Sequence, residues 1–298
     1  MSPEQPMPCE PPIHVVRDAV GRALAEDLTP IGDVTSALLD PGLVGSGRFV
    51  AREAGRLAGT ACLVESFAQV DTRVEVQLLL ADGARIDAGS AVAEVSGPLG
   101  SILTAERTAL NFLCHLSGIA TLTARYVEEA RRGGRAQVWD TRKTTPGLRT
   151  LEKAAVRAGG GRNHRGNLSE WVLLKDNHVI GIGITEAIAR ARDMWPARTV
   201  HIECDRLDQV HDAVEASATA ILLDNMTPAQ VRDAVALVDG RCLLEVSGGV
   251  TLETIAEYSG CGVDLISVSR ITQSAPALDI GLDFVSPAPA SVAESRGA

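Results

Sequence analysis

Two textures of apolar and polar positions divide the 298-residue chain. Near the start, VVRDAVGRALAED after His14 puts Val16, Val20 and Leu24 on one helix face. The stretches GRFVAREAGRLAGTACLVESF and VEVQLLLADGARIDAGSAVAEVSG then alternate short β-like runs with Gly and Asp turns, the punctuation of an antiparallel sheet. From Thr104, a candidate N-cap, a long helical pattern begins, with Leu110, Leu113 and Leu116 near helical spacing. After Gly134 the pattern becomes apolar strand, polar tip, helix. The strands read AQVWDTR, WVLLKDN, VHIECD, AILLDN, CLLEVSG and LISVS. Helix-start signals lie between them at Asp205, at Thr227-Pro228 and at Thr251. Six βα units in series favour an α/β fold of the (β/α) barrel type. An open doubly wound sheet shares this periodicity and stays open as the rival.

Composition supports buried parallel strands. Hydrophobic residues make up 45% and aromatics only 3%, so the core is built from Ala, Val, Leu and Ile. The proline-rich residues 1–12 and the tail 286–298 are predicted to be disordered. Acids outnumber Lys and Arg by 38 to 28, giving a net charge of -10, which repels nucleic acid and anionic membranes. No apolar run approaches a membrane span, and the start lacks the basic and apolar regions of a signal peptide. The six cysteines lie far apart without a CxxC pair, so neither a disulfide framework nor zinc spacing is present, and Cys204 and Cys242 read as small buried hydrophobes. A cytoplasmic location is the expectation.

Charge is not evenly spread. Between residues 142 and 175 stand Arg142, Lys143, Arg149, Lys153, Arg157, Arg162, Arg165 and Lys175 against Glu152 and Glu170, eight cations less two acids, or +6. Lys153 and Arg157 are expected to form a solvated helix face. Arg142, Lys143 and Lys175 abut apolar strands and should be partly desolvated, where like charges are relieved by an anionic ligand. His164 adds a titratable group. Every strand also ends in functional groups: Lys175 and Asp176, Glu203 and Asp205, Asp224 and Asn225, Glu245 and Ser247, Ser267 and Ser269. In a parallel barrel such ends converge on one face. The triplet Gly159-Gly160-Gly161 reads as a plain loop. Ser247-Gly248-Gly249, between a strand and a helix start at Thr251, reads as a turn presenting N–H groups to a phosphate. Glu203 and Asp224 suit either Mg²⁺ or structural ion pairs.

The stretches ALAEDL, GDVTS, AERTALNFL, LSGIAT, DTRKTTPGLR, AGGGRNHR, LLKDNH, IECD, ILLDNM, LEVSGGV and DLISVS together resemble the quinolinate phosphoribosyltransferases, from about residue 23 to 282. The resemblance implies an N-terminal α/β sandwich domain over 13–118 and an incomplete TIM-like barrel over 119–275. It further implies a segment 276–285 returning to the first domain, and a homodimer in which Arg107 completes the partner's site. It assigns Thr141, Arg142, Lys143, His164, Arg165 and Lys175, with Arg107, to the two carboxylates of quinolinate, with Lys143, Arg165 and Lys175 closest to the chemistry. Glu203 and Asp224 are assigned to the ribose and Mg²⁺ of phosphoribosyl pyrophosphate. Ser247, Gly248, Gly249, Ser267 and Ser269 fall to its phosphate. The implied reaction is phosphoribosyl transfer with decarboxylation, giving nicotinate mononucleotide for NAD biosynthesis. Two departures are notable: Gly166-Asn167 beside the acceptor residues, and Ser269-Arg270-Ile271-Thr272-Gln273 at the phosphate end. They leave open a paralogue using another pyridine or aromatic acid. A non-catalytic anion-binding protein is the third alternative.

Overall fold

The computed structural model describes residues 10–285, so the disorder expected for 1–12 and 286–298 lies outside the described residues except at 10–12, where Pro12 is the N-cap of the first helix. Two compact units are present: residues 10–118 with 277–285, and residues 119–276.

The first unit contains α1 (Ile13–Leu28), β1 (Val44–Ala51), β2 (Gly55–Arg56), α2 (Thr60–Val70), β3 (Glu75–Leu78), β4 (Arg85–Ile86), β5 (Ala91–Pro98) and the start of α3 (Leu99–Gly133). Helix α1 buries Val16, Val20 and Leu24, as the 3.6-residue spacing requires. Strands β1, β3 and β5 form an antiparallel sheet, joined at its β1 edge by the chain's last strand, Ile280–Val285. Phe49 and Ala51 on β1 point into the core, where Phe49 meets Phe67 edge-to-face at 5.9 Å. Just before Phe49, Arg48 faces solvent and pairs with Glu94, an exposed contact of little energetic weight.

Two expectations fail in this unit. TACLVESFAQV is α2, not a strand: Cys62, Leu63, Ser66 and Phe67 bury one helical face, and the Asp82 carboxylate accepts from Gly59 N and Thr60 N at 3.0 and 3.1 Å. That cap comes from more than twenty residues away in the chain, so local punctuation could not announce it. Thr104 does not cap α3. The helix already starts at Leu99, and the Thr104 hydroxyl donates back to Gly100 O and to Asp33, both at 2.9 Å.

The second unit continues from α3 through β6 (Gln137–Trp139), α4 (Arg149–Ala158), β7 (Val172–Leu174), α5 (Asp176–Val179), α6 (Ile184–Met194), β8 (Val200–Cys204) and α7 (Leu207–Glu215). It ends with β9 (Ala220–Asp224), α8 (Pro228–Val238), β10 (Leu243–Ser247), α9 (Ile255–Gly260), β11 (Leu265–Ser267) and α10 (Arg270–Gln273). All six predicted strands form. They are parallel, in the order β6-β11-β10-β9-β8-β7. Consecutive strands β7 to β11 lie side by side and the last closes onto the first, which is barrel winding and not the reversal of a doubly wound sheet. Among the described barrel strands only the β6–β7 seam is unpaired.

That seam is edged by the chain around Arg162, which makes a parallel bridge to Trp139, with Arg162 N donating to Val138 O at 2.8 Å and Asp140 N to Arg162 O at 3.1 Å. The glycine triplet lets this stretch come close to α3: a Cβ on Gly159 would stand 2.4 Å from Ala120 O. The covering helices bury one stripe each, such as Val231, Ala234 and Val238 of α8, whose start is the predicted Thr227 cap with Pro228 at N1. Helix α7 is capped one residue later than predicted, at Arg206, and α9 begins at Ile255, beyond a turn over Thr251–Thr254. The Ser247-Gly248-Gly249 turn therefore does not adjoin a helix N-terminus. Cys204 is buried as expected, whereas Cys242 is half-buried.

Candidate active site

The carboxyl ends of the barrel strands surround a cavity of about 840 Å³. Thirteen predicted residues line it: Thr141, Arg142 and Lys143 after β6; His164 and Arg165 from the seam; Lys175 after β7; Glu203 on β8; Asp224 on β9; Ser247 at the end of β10 with Gly248 and Gly249 after it; and Ser267 at the end of β11 with Ser269 beyond it. Arg107 belongs to the other unit, exposed on α3. Arg270, whose direction the sequence did not give, lines the cavity beside Ser269, while Gln273 does not.

The cations are not equivalent. Lys143 is exposed, contrary to the desolvation expected of it. Its loop is fixed through the backbone, Lys143 N donating to Thr141 Oγ1 at 3.0 Å and Thr272 Oγ1 to Lys143 O at 2.8 Å. Arg165 is only 7% exposed; burial, then the charge of Arg142, pulls its guanidinium below the ordinary arginine value. The Nε atoms of Arg142 and Arg165 are buried without a hydrogen-bond partner in the protein. Two crowded guanidiniums with unused donors are built for a carboxylate or phosphate. Lys175 pairs with Glu203, joining the cationic side to the carboxylate side.

Lys153 overturns the expectation of a solvated basic face. It is buried and forms an ion pair with Asp140, which is 0% exposed, and donates to His164 O at 2.8 Å. Asp140 also accepts from His164 N at 2.8 Å and from Asn163 Nδ2 at 2.7 Å. Arg157 is half-buried and donates to Asn163 Oδ1 at 2.6 Å. Burial pushes the Asp140 carboxyl up and the Lys153 ammonium down, each opposed by the other's charge. This knot fixes the backbone that carries His164 and Arg165. Arg149 braces the same loops through Thr144 Oγ1, Gly166 O and Arg142 O.

Sequence reasoning placed Glu245 among the strand-end groups but gave it no role; it is 1% exposed, accepts from Ser267 Oγ and lies 3.4 Å from His164 Nε2. His201, 8% exposed, stacks on Trp171 at 5.1 Å and 22°, and burial lowers its pKa to about 4, so the imidazole is neutral. Glu245 was visible as a strand-end acid. For His201, which points inward from mid-strand, the period-two alternation was the available signal.

At the far end, Gly248 has φ +90° and a Cβ there would stand 2.2 Å from Asn225 Oδ1, so the turn holds only glycine. Arg270 brings positive charge to this side.

Such a barrel, with cations facing carboxylates and a glycine turn across one cavity, defines an enzyme class handling acidic, phosphorylated substrates. Family comparison makes the class specific. Residues 119–283 match the quinolinate phosphoribosyl transferase C-terminal domain, and residues 33–117 match the N-terminal domain of the same family. The chain belongs to the quinolinate phosphoribosyl transferase family. It is 44% identical to the nicotinate-nucleotide pyrophosphorylase (carboxylating) of Mycobacterium leprae, over 93% of this chain and 99% of the relative. The probable counterpart in Bacillus subtilis is 39% identical over 85% and 88%. Among solved structures, the nicotinate-nucleotide pyrophosphorylase of Francisella tularensis superposes with a TM-score of 0.89 at 35% identity, covering 93% of this chain and 98% of that one. NadC from Streptococcus pyogenes gives 0.88 at 40% identity, with 93% and 99% covered. Among the described residues no helix is long and apolar enough to cross a membrane.

Proposed function

We propose that this chain transfers the phosphoribosyl group of 5-phosphoribosyl 1-pyrophosphate to quinolinate and releases CO₂, giving nicotinate mononucleotide and pyrophosphate in the cytoplasm. The observation that carries the reading is the pair of guanidiniums of half-buried Arg142 and buried Arg165, whose Nε atoms are buried without a protein partner, in one cavity with Glu203 and Asp224.

In this reading Arg142, Lys143, Arg165 and Lys175 hold the two carboxylates and orient the ring nitrogen toward ribose C1. The nitrogen forms the new C–N bond as the C1–O bond to pyrophosphate breaks. Alignment of the two reactants supplies much of the acceleration. The N-ribosylated ring is cationic and stabilises the electron pair left at C2 as the C–C bond breaks and CO₂ departs; that pair then takes up a proton. No side chain acts as nucleophile. Ser247, Gly248, Gly249, Ser267, Ser269 and Arg270 line the phosphate end.

Glu203 and Asp224 are oxygen donors on adjacent strands at the cavity wall, a donor set that fits Mg²⁺. The ion supplies charge neutralisation on the pyrophosphate. Lys175 holds Glu203 and must yield for both oxygens to be free. The reading includes a homodimer in which Arg107 reaches the partner's site. Mixing Arg107→Ala with Arg165→Ala chains should restore part of the activity; a verified mixed dimer without activity removes that element.

Purified protein with quinolinate, phosphoribosyl pyrophosphate and Mg²⁺ should release CO₂ and form nicotinate mononucleotide. Turnover confined to another member of a pyridine-carboxylate panel would reassign the acceptor, and binding without turnover on any member would leave only an anion-binding protein.

A further inference from the structure

His164, His201 and Glu245 come from the seam, β8 and β10, yet each offers one ligand-type atom within 4.8 Å of the others. Their exposures are 7%, 8% and 1%. Buried polar atoms are normally hydrogen-bonded. Here His164 Nε2, His201 Nδ1 and Glu245 Oε2 are not. Ser267 serves the other oxygen of Glu245, and the 3.4 Å between His164 Nε2 and Glu245 Oε2 is long for a hydrogen bond. Closing that gap would satisfy only two of the three atoms and leave His201 Nδ1 alone.

We propose that His164, His201 and Glu245 bind a transition-metal ion of the zinc type inside the barrel. Two imidazoles and a carboxylate are the protein ligands of an open zinc site, with the fourth position left to water or substrate. The set discriminates against Mg²⁺, which keeps oxygen ligands and sheds water reluctantly. The surroundings fix the imidazole planes. Trp171 stacks on His201 and meets His164 edge-on at 5.0 Å and 64°, while Trp139 meets His164 at 6.3 Å and 79°. Glu245 contributes one negative charge, so a divalent ion leaves the site positive. His164 lines the cavity, so an acidic group there meets the open position.

The test needs no substrate, so its outcome is separate from that of the phosphoribosyl reading. Full-length chain stripped with a chelator is titrated with Zn²⁺ against a chromophoric competitor, and with Co²⁺ by visible absorption. One ion per chain is expected, with a tetrahedral-type Co²⁺ band that excess Mg²⁺ does not remove. In a Trp195→Phe background, Co²⁺ should quench the emission of the two remaining tryptophans. His201→Gln, His201→Leu and Glu245→Gln should each weaken binding at least ~100-fold, since even an outer-sphere change costs 10–100-fold. Glu203→Gln should not. Circular dichroism checks each variant, and Glu245→Gln, nearly isosteric, covers the case of a His201 variant that does not fold. Absent stoichiometric binding, binding retained in the folded variants, or displacement by Mg²⁺ overturns the proposal.

Discussion

Replacing Lys153 by methionine keeps the unbranched stem, one atom shorter, and removes the charge from the Asp140 knot. The carboxylate, 0% exposed, then keeps only His164 N and Asn163 Nδ2 as donors. Removing one partner of a buried ion pair costs about 3–5 kcal/mol, because the remaining charge has neither water nor a counterion. At ~2–4 °C per kcal/mol for a unit of this size, the barrel transition should fall by roughly 6–20 °C. All three tryptophans, Trp139, Trp171 and Trp195, lie in the barrel unit, so their emission follows that unit alone. Asp140→Asn should be similarly destabilising. The double variant, with neither charge, should recover by at least ~1 kcal/mol relative to the sum of the singles. A Lys153→Met protein within about 1 kcal/mol of wild type would refute the reasoning, since it would mean that the knot is not a desolvated charge pair.

Two further outcomes follow from local geometry. The Ser36 hydroxyl and amide, Thr104 Oγ1 and Thr35 N hold the Asp33 carboxyl down to about 2, from an ordinary 3.8. A depressed carboxyl stabilises above its unfolded value and loses that contribution as pH falls through the folded one. The melting advantage of wild type over Asp33→Asn should therefore shrink between about pH 4 and 2; a constant gap contradicts this. Gly159→Ala puts a methyl 2.4 Å from Ala120 O and 2.6 Å from Thr123 Cβ, which should cost about 1–3 kcal/mol in tryptophan-monitored unfolding. An unchanged midpoint would show that the backbone yields there.

Strand and helix periodicity made the barrel legible, because each unit repeats a buried run, a polar tip and a one-sided helix. The cavity residues were legible for the same reason: strand ends converge whatever the loops do. Three things were hidden, each by long-range pairing. TACLVESFAQV needed Asp82, far along the chain, to start as a helix. Lys153 looked like one more surface cation on α4, and only Asp140, thirteen residues earlier on the adjoining strand end, reverses that reading. His201 sits on an inward position of β8 where an apolar residue would satisfy the pattern, and its company of Trp171, His164 and Glu245 is assembled from three other stretches.

The unpaired seam between β6 and β7 has a consequence for how the molecule can change. In a fully laddered barrel, ligand-gripping loops are ornaments on a finished wall, and they vary without loosening it. Here the strip bearing His164 and Arg165 is itself a stave of the wall, anchored on one side by the Trp139–Arg162 bridge and from beneath by the Asp140 knot. Substitutions that retune the grip on an acid therefore also test the closure of the barrel. In the proposed reaction an acid gripped by Arg142, at the end of β6, and by Arg165, on the strip, would act as a clasp between the two.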